Sequence, residues 1–223
     1  MATDSGDWLV LLAKKPEPGR SKTRLAQDVG TETATRLAEA FLLDTLDLCD
    51  DFDARFLIAH APASGGSWFR ERCPTAELIA QPDTTFEERI LHALGTAFER
   101  GAKRCVILGM DTPQLEASTL AEAFRALDAH DVSIGPSEDG GYYLMGLRQL
   151  ESRLFADIAW STSAVLSTTL ERAKDCGLSV LELAPERDVD EIDDLEALRR
   201  TLERRPGCAR RTRALLDSLR SEP

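Results

Sequence analysis

The stretch Arg104-Cys-Val-Ile-Leu-Gly-Met-Asp-Thr-Pro-Gln-Leu115 restricts the folds open to this chain more than any other. Residues 105–108 are apolar without a break and follow the basic pair Lys103 and Arg104. So short a run, with no polar face, suits a strand covered on both sides, as in a parallel sheet. Gly109 then frees the backbone to turn, and Pro113 bars further ladder pairing. Asp111 lies between them, just past the carboxyl end of the strand, where open α/β sheets bind their ligands. A carboxylate there is a hard oxygen ligand suited to a Mg²⁺ ion that also carries a substrate phosphate. Asp111 is too far upstream to cap well a helix starting near Ser118. An acid at a solvated loop tip is the other structural reading.

The rest of the chain repeats a strand–loop–helix rhythm. Strand-like runs occupy residues 8–13, 55–59, 77–80, 131–135 and 178–183, with another strand after the acidic turn beginning at Pro136. Helical periodicity runs over 31–49, where Ala34, Leu37, Phe41, Leu42 and Cys49 share a face and Thr31 is placed to cap. It returns briefly around Trp68, over 86–100 with Gly101 as its end, and over 118–129 and 164–176. Several acids between Arg187 and Leu195 precede a further helix, and two more Arg-rich helical segments finish the chain. Acids at a helix start can serve the dipole alone. The alternation predicts an α/β fold with a mainly parallel sheet and right-handed crossovers.

At 223 residues and 43% hydrophobic content, the expectation is one domain with a sizeable core, over about residues 8–200, and a C-terminal helical extension over about 201–223. A net charge of −12 argues against general nucleic-acid binding. No apolar run approaches the ~20 residues that span a bilayer. The acidic start, Met1 to Asp7, lacks the basic-then-apolar order of a signal peptide. Five scattered cysteines without a C-x-x-C pair, and three isolated histidines, point to free thiols in a reducing compartment. Cytoplasmic location and no membrane partner are the expectations.

Against this acidic background Lys14, Lys15, Arg20, Lys22 and Arg24 form a local basic patch that suits a small anion. They lie in a loop shaped by Pro16, Pro18 and Gly19 after the first strand. A P-loop would need Gly directly before Lys22-Thr23 and another five positions earlier, where Ser21 and Pro16 stand. Walker A is rejected, but cations at a strand's carboxyl end still suit phosphates. The paired glycines Gly140 and Gly141 fit either a hairpin or close approach of the backbone to a ligand.

Four stretches occur in a telling order: Lys14-x-Pro-x-Pro-Gly-x-x-Lys-Thr-Arg-Leu25, Gly109-x-Asp-x-Pro-x-Leu115, Gly135-Pro-x-x-Asp-Gly-Gly-Tyr-x-Leu144 and Asp188-Val-Asp with Asp194-Leu195. Together they resemble the DUF2064 group of GT-A-fold, glycosyltransferase-like proteins, a group similar to molybdenum-cofactor and phospholactate guanylyltransferases. The resemblance spans roughly residues 8–200. It implies a nucleotide-diphospho-sugar transferase fold: a three-layer α/β/α sandwich, mostly parallel with one antiparallel element. It also implies a nucleotide sugar or nucleoside triphosphate bound with Mg²⁺ (or Mn²⁺), and a small-molecule acceptor. Lys14, Gly19, Lys22 and Arg24 match the phosphate loop, Lys22 and Arg24 taking the catalytic cations' place. Asp111 and Asp190 match metal ligands, with Asp188 the lesser choice. Asp139, Gly140 and Gly141 match the turn that would face the transferred group or acceptor, with Asp139 the candidate base in glycosyl transfer and Gly140, Gly141, Tyr142 and Trp160 the candidate substrate-binding residues.

One departure bears on specificity. Many relatives carry Gln-x-Gly-x-Asp-Leu-Gly-x-Arg-Met where this chain has Gln81-Pro-Asp-Thr-Thr-Phe-Glu-Glu-Arg-Ile90. Gln81, Glu88 and Arg89 remain; the glycines and central acid do not. The resemblance implies glycosyl transfer slightly ahead of nucleotidyl transfer, with a non-catalytic nucleotide-binding regulator as the reading from another class.

Overall fold

A computed structural model of the chain describes residues 6–221. The acidic start, as far as Ser5, therefore lies outside the described residues. The sheet contains β1 (Asp7–Lys14), β2 (Arg55–Ala61), β3 (Glu77–Ala80), β4 (Arg104–Leu108), β5 (Val132–Pro136), β6 (Tyr142–Leu147) and β7 (Val180–Glu182). Their spatial order is β3-β2-β1-β4-β6-β5-β7. Neighbours run parallel except β6, which is antiparallel to both β4 and β5. Around the sheet lie α1 (Ala26–Val29), α2 (Thr31–Asp50), α3 (Gly66–Arg72), α4 (Phe86–Glu99), α5 (Ala117–Ala126), α6 (Val165–Asp175), α7 (Ile192–Arg204) and α8 (Arg210–Ser221).

Period-two alternation in the central strands splits the core into two layers. Leu9, Leu11, Ile58, Val106 and Leu108 pack with Leu42, Phe69 and Leu120 from α2, α3 and α5. Trp8, Val10, Leu57, Cys105 and Ile107 pack with Ile90 and Leu94 of α4 and with Phe155. The run at residues 105–108 is thus covered on both faces, and the architecture is the expected α/β/α sandwich. From β1 the chain builds outward to β3, then crosses back to place β4 on the other side of β1. The order reverses there, so the loops leaving β1 and β4 diverge and open a crevice at their carboxyl ends.

A third cluster joins Leu25, at the end of the basic loop, to Leu37 and Phe41 of α2, to Val189, and to Leu195, Leu198 and Leu202 of α7. Leu25 is fully buried and Val189 nearly so. Burying a side chain of this size is worth about 1.5–3 kcal/mol. These apolar anchors fix two polar segments that adjoin them, the basic loop and residue 190.

Some boundaries differ from the sequence expectation. Thr31 is the first residue of α2 and does not cap it; Gly30, at φ 81°, takes the cap position as the only link between α1 and α2. The predicted helix over 118–129 begins at Ala117 and closes at Ala126, and the final strand shortens to Val180–Glu182. Two helices rather than three follow the acids among the described residues, because α7 is itself the first Arg-rich segment. Gly101 does follow the end of α4, at φ 95°, with its N–H on the Phe98 carbonyl and the Ala102 N–H on that of Ala97. Among the described residues no helix is long and apolar enough to cross a membrane. All five cysteines are free thiols.

Candidate active site

The basic loop leaves β1 at Lys14, whose N–H reaches the Met110 sulfur at 3.3 Å and whose Nζ donates to the Arg20 carbonyl at 2.9 Å. Gly19 turns the chain at φ 72°, and Ser21 Oγ accepts from the Glu17 N–H at 3.0 Å. Lys22 adopts φ 48°, a left-handed conformation that disfavours a side-chain-bearing residue. Its carbonyl accepts from Ala26, which starts α1. The turn aims the Lys22 side chain inward, while Arg24 stays out in solvent.

Residue 190 reaches this loop through a set of cross-chain bonds. The Val189 N–H donates to the Asp111 carbonyl at 2.9 Å. Thr112 Oγ1 donates to Asp188 Oδ1 at 2.9 Å, and Gln114 Nε2 to the Arg187 carbonyl at 2.8 Å. The segment after β4 and the segment before α7 therefore run side by side. Asp194 accepts from the N–H groups of Asp190 and Glu191, at 3.1 and 2.9 Å, and so serves the start of α7. That leaves the Asp190 carboxylate to face the crevice.

Asp111 and Asp190 both direct Oδ1 at Lys22 Nζ, which is ion-paired to Asp111 and lies 2.8 Å from Asp190. The Lys22 side chain is 5% exposed, whereas the two carboxylates are 45% and 48% exposed. Burial by itself would push the ammonium's pKa down, but the two acids more than offset this and hold it above its ordinary value. Asp188, half-buried, is pushed up to about 7, first by burial and further by Asp111 and Asp139, against the Thr112 hydrogen bond and the Lys22 charge.

Two carboxylates converging on one point charge are the donor set that a divalent cation requires, and the ammonium stands in for that charge. Among the described residues no group of three or more ligating side chains forms a fuller cage. The fit is to a hard ion that completes its shell with water and phosphate oxygens, the habit of Mg²⁺.

The turn between β5 and β6 is held locally. Asp139 Oδ1 accepts from Ser137 Oγ at 2.6 Å and from the Gly141 N–H at 2.9 Å. Gly140 has φ 90°, and a Cβ there would overlap the Ser163 backbone. Its carbonyl accepts from Leu166 in the first turn of α6. The expected close approach at Gly140 is thus made by residues of its own chain. Gly141 faces a cavity instead.

That cavity, of about 540 Å³, is lined by Asp139, Gly141, Tyr142, Trp160 and Asp188 among others. A second, of about 250 Å³, is lined by Lys14, Arg20, Ser21, Lys22 and Thr23. Arg24, Met110, Asp111 and Asp190 line both and form the wall between them. Gly19 and Gly140 line neither. Lys22, expected to face phosphate, lines the smaller cavity with its ammonium engaged by the two acids. Arg24 is 3.6 Å from Glu191, but both side chains are more than 60% exposed, and such a pair is worth at most about 1 kcal/mol.

Sequence reasoning missed Phe86. It comes from the altered segment, where Thr85 accepts from the Glu88 N–H to cap α4 and Gln81 donates its amide to the carbonyls of Ala13 and Ala59. Phe86 packs edge-on to Trp160 at 4.9 Å between centroids, with Tyr142 6.4 Å from the same indole. The lost glycines were the only hint in the sequence.

Residues 42–162 match the family described as "Uncharacterized protein conserved in bacteria (DUF2064)". No curated protein matches the sequence. Among solved structures, a nucleotidyl transferase from Methanothermobacter shares 14% identity over 89% of this chain and 97% of its own, with a TM-score of 0.57. Rv0371c from Mycobacterium tuberculosis H37Rv, crystallised with manganese, shares 18% over 86% and 96%, with a TM-score of 0.51. These two are likenesses of fold. A protein from Desulfovibrio desulfuricans G20, provisionally named a nucleotide-diphospho-sugar transferase, shares 33% identity over 97% of this chain and 96% of its own, with a TM-score of 0.91. With that relative and the match over residues 42–162, the chain belongs to the DUF2064 family.

Proposed function

We propose that this chain is a nucleotide-using transferase that moves a sugar from a nucleotide-sugar donor to a small-molecule acceptor. The observation that carries this reading is the pair of adjoining cavities with a common wall of Arg24, Asp111 and Asp190. The smaller is cationic and suits a diphosphate. The larger, lined by aromatic rings and by Asp139 and Asp188, suits a sugar and the group that receives it. Descent supports the reading: the Desulfovibrio relative bears the name of a nucleotide-diphospho-sugar transferase.

Asp111 and Asp190 are the residues that would hold Mg²⁺ or Mn²⁺, and the manganese in Rv0371c supports a divalent ion in this fold. When bound, such an ion neutralises charge that accumulates on the leaving diphosphate. Arg24 and Lys14 stand where they can donate to its other oxygens, in charge-assisted bonds. Gly141, Tyr142 and Trp160 orient the transferred group within the larger cavity. Asp139 takes the acceptor's proton on Oδ2, since Oδ1 is already engaged by Ser137 and Gly141.

The same engagement favours a second reading. A carboxylate committed to its own turn needs no part in nucleotidyl transfer, where a substrate phosphate attacks the α-phosphorus and releases pyrophosphate by positioning alone. The nucleotidyl transferase of similar fold supports this alternative.

Thermal-shift titration of nucleotide sugars and free triphosphates, each with and without Mg²⁺, separates the two. A ligand at 100 times its dissociation constant stabilises by about 2.7 kcal/mol. Selective stabilisation by a nucleotide sugar, with nucleoside diphosphate as product, supports glycosyl transfer. Selectivity for a triphosphate, with pyrophosphate released, supports the alternative. Stabilisation by neither sinks both. Asp111→Ala is expected to lower turnover by ~10–100-fold or more, since even the partners of metal ligands act on that scale. Binding and regulation that survive Asp111→Ala with no turnover in either protein would instead mark a nucleotide-binding regulator.

A further inference from the structure

The two acids already share a cation of the chain's own. Lys22 Nζ contacts Oδ1 of both Asp111 and Asp190, and its side chain is buried beneath carboxylates that are half open to solvent. Nothing local requires this. Lys14 and Arg24, in the same loop, are exposed, and the acid 168 residues downstream is brought to Lys22 by the Leu25–Val189 cluster. Lys22 also adopts a left-handed φ of 48°, so the backbone is bent to deliver this side chain.

From this we infer that Lys22 is an internal counter-ion that occupies the metal's position between Asp111 and Asp190 and must leave it when a divalent cation binds. The inference rests on the proposed metal role of the two acids. A monovalent ammonium and a divalent ion cannot both hold the two inward oxygens, so each opposes the other. A diphosphate in the adjoining cationic cavity, which Lys22 also lines, offers the displaced ammonium a new anionic partner. Metal and nucleotide therefore favour each other's binding, and such coupling is reciprocal. Lys22 is then a positioning residue in the ligand-free chain and a phosphate contact in the loaded one, which reconciles its burial with its place in the basic loop.

Mn²⁺ binding to the full chain, followed by the electron-spin-resonance signal of the free aquo ion without any nucleotide, tests the exchange. Lys22→Met is expected to bind Mn²⁺ at least ~10-fold more tightly than wild type, within the usual range of coupling between sites. Lys22→Arg, which keeps the charge, is expected to stay near wild type. A cooperatively melting Lys22→Met protein with unchanged or weaker Mn²⁺ binding overturns the inference and leaves the metal role of the acids standing. No Mn²⁺ binding by any of the three proteins overturns both.

A measurement on the wild type guards against a variant that fails to fold. Amine acylation read by peptide mass spectrometry is expected to spare Lys22 in metal-free protein and to label it severalfold faster once Mn²⁺ saturates. Unchanged protection at saturating Mn²⁺ also overturns the exchange.

Discussion

The acids Asp111, Asp188 and Asp190, two of them ion-paired to Lys22, line one cavity with the turn of Ser137, Asp139 and Gly141, yet the two regions hold their charges in opposite ways. Asp139 is held by partners two residues away. Lys22 is held by an acid 168 residues away and Asp188 by a threonine 76 residues away. A locally held carboxylate needs little from the rest of the fold, and its geometry changes little when a ligand arrives. Charges held across the fold depend on packed anchors, here Leu25 and Val189, and can be handed to a ligand because their partners belong to separate segments. The first region is built as a fixed frame and the second as an exchangeable one.

Asp139→Asn probes the frame and carries the largest expected effect. Asparagine keeps the Oδ1 acceptor used by Ser137 and Gly141, so melting should be nearly unchanged. Loss of a general base lowers turnover by roughly 10²–10⁴-fold, read in a product assay. Undiminished turnover would mean that the turn is only a frame and would shift the reading to nucleotidyl transfer.

Gly140→Ala tests whether that frame is as rigid as its bonds suggest. Alanine at φ 90° is strained, and its Cβ overlaps the Ser163 backbone. The expected cost is about 1–3 kcal/mol, at roughly 2–4 °C of melting temperature for each kcal/mol in a chain of this size. An unchanged melting temperature would show that the turn and the start of α6 separate easily, and would blur the contrast between the regions.

The remaining test is the pH dependence of Asp188. Its folded-state pKa of about 7 lies above the ordinary carboxylate value near 3.8. Between these values the folded state holds a proton that the unfolded state releases. Asp188 therefore takes stability away as pH rises from about 4 to about 7, and the loss is complete above that. Asp188→Asn, melted without divalent metal, should gain on wild type across this window and match it below pH ~4. A constant difference at all pH values would mean that Asp188 is ionised throughout and that burial does not govern it.

Much of the architecture was legible because buried strands and amphipathic helices announce themselves in short windows. The run at 105–108 is a two-faced buried strand, and Gly101 follows α4 as its φ requires. The miscount of C-terminal helices and the misplaced cap at Thr31 are errors of boundary, where neighbouring turns decide. At the site, the strand end pointed to Asp111 and the basic loop to Arg24, while Asp139, Tyr142 and Trp160 came from the family motifs; all five line the larger cavity. The glycine pair left a hairpin and a ligand contact both open, and at Gly140 the chain's own Ser163 backbone fills the space, which a sequence does not disclose. The altered segment hinted at a change but not at Phe86, whose role depends on how α4 meets Trp160.

By itself the sequence determined the alternation of strands and helices, the carboxylate after β4, the cationic loop after β1 and the family motifs that join them. Those are properties of local spacing and residue type. Only the tertiary structure decided that Lys22 lies between Asp111 and Asp190 instead of facing solvent beside Arg24. The physical reason is that ion pairing acts through space. It was the packing of Leu25 and Val189 into one apolar cluster, and the reversal of strand order at β1 and β4, that set which charges meet.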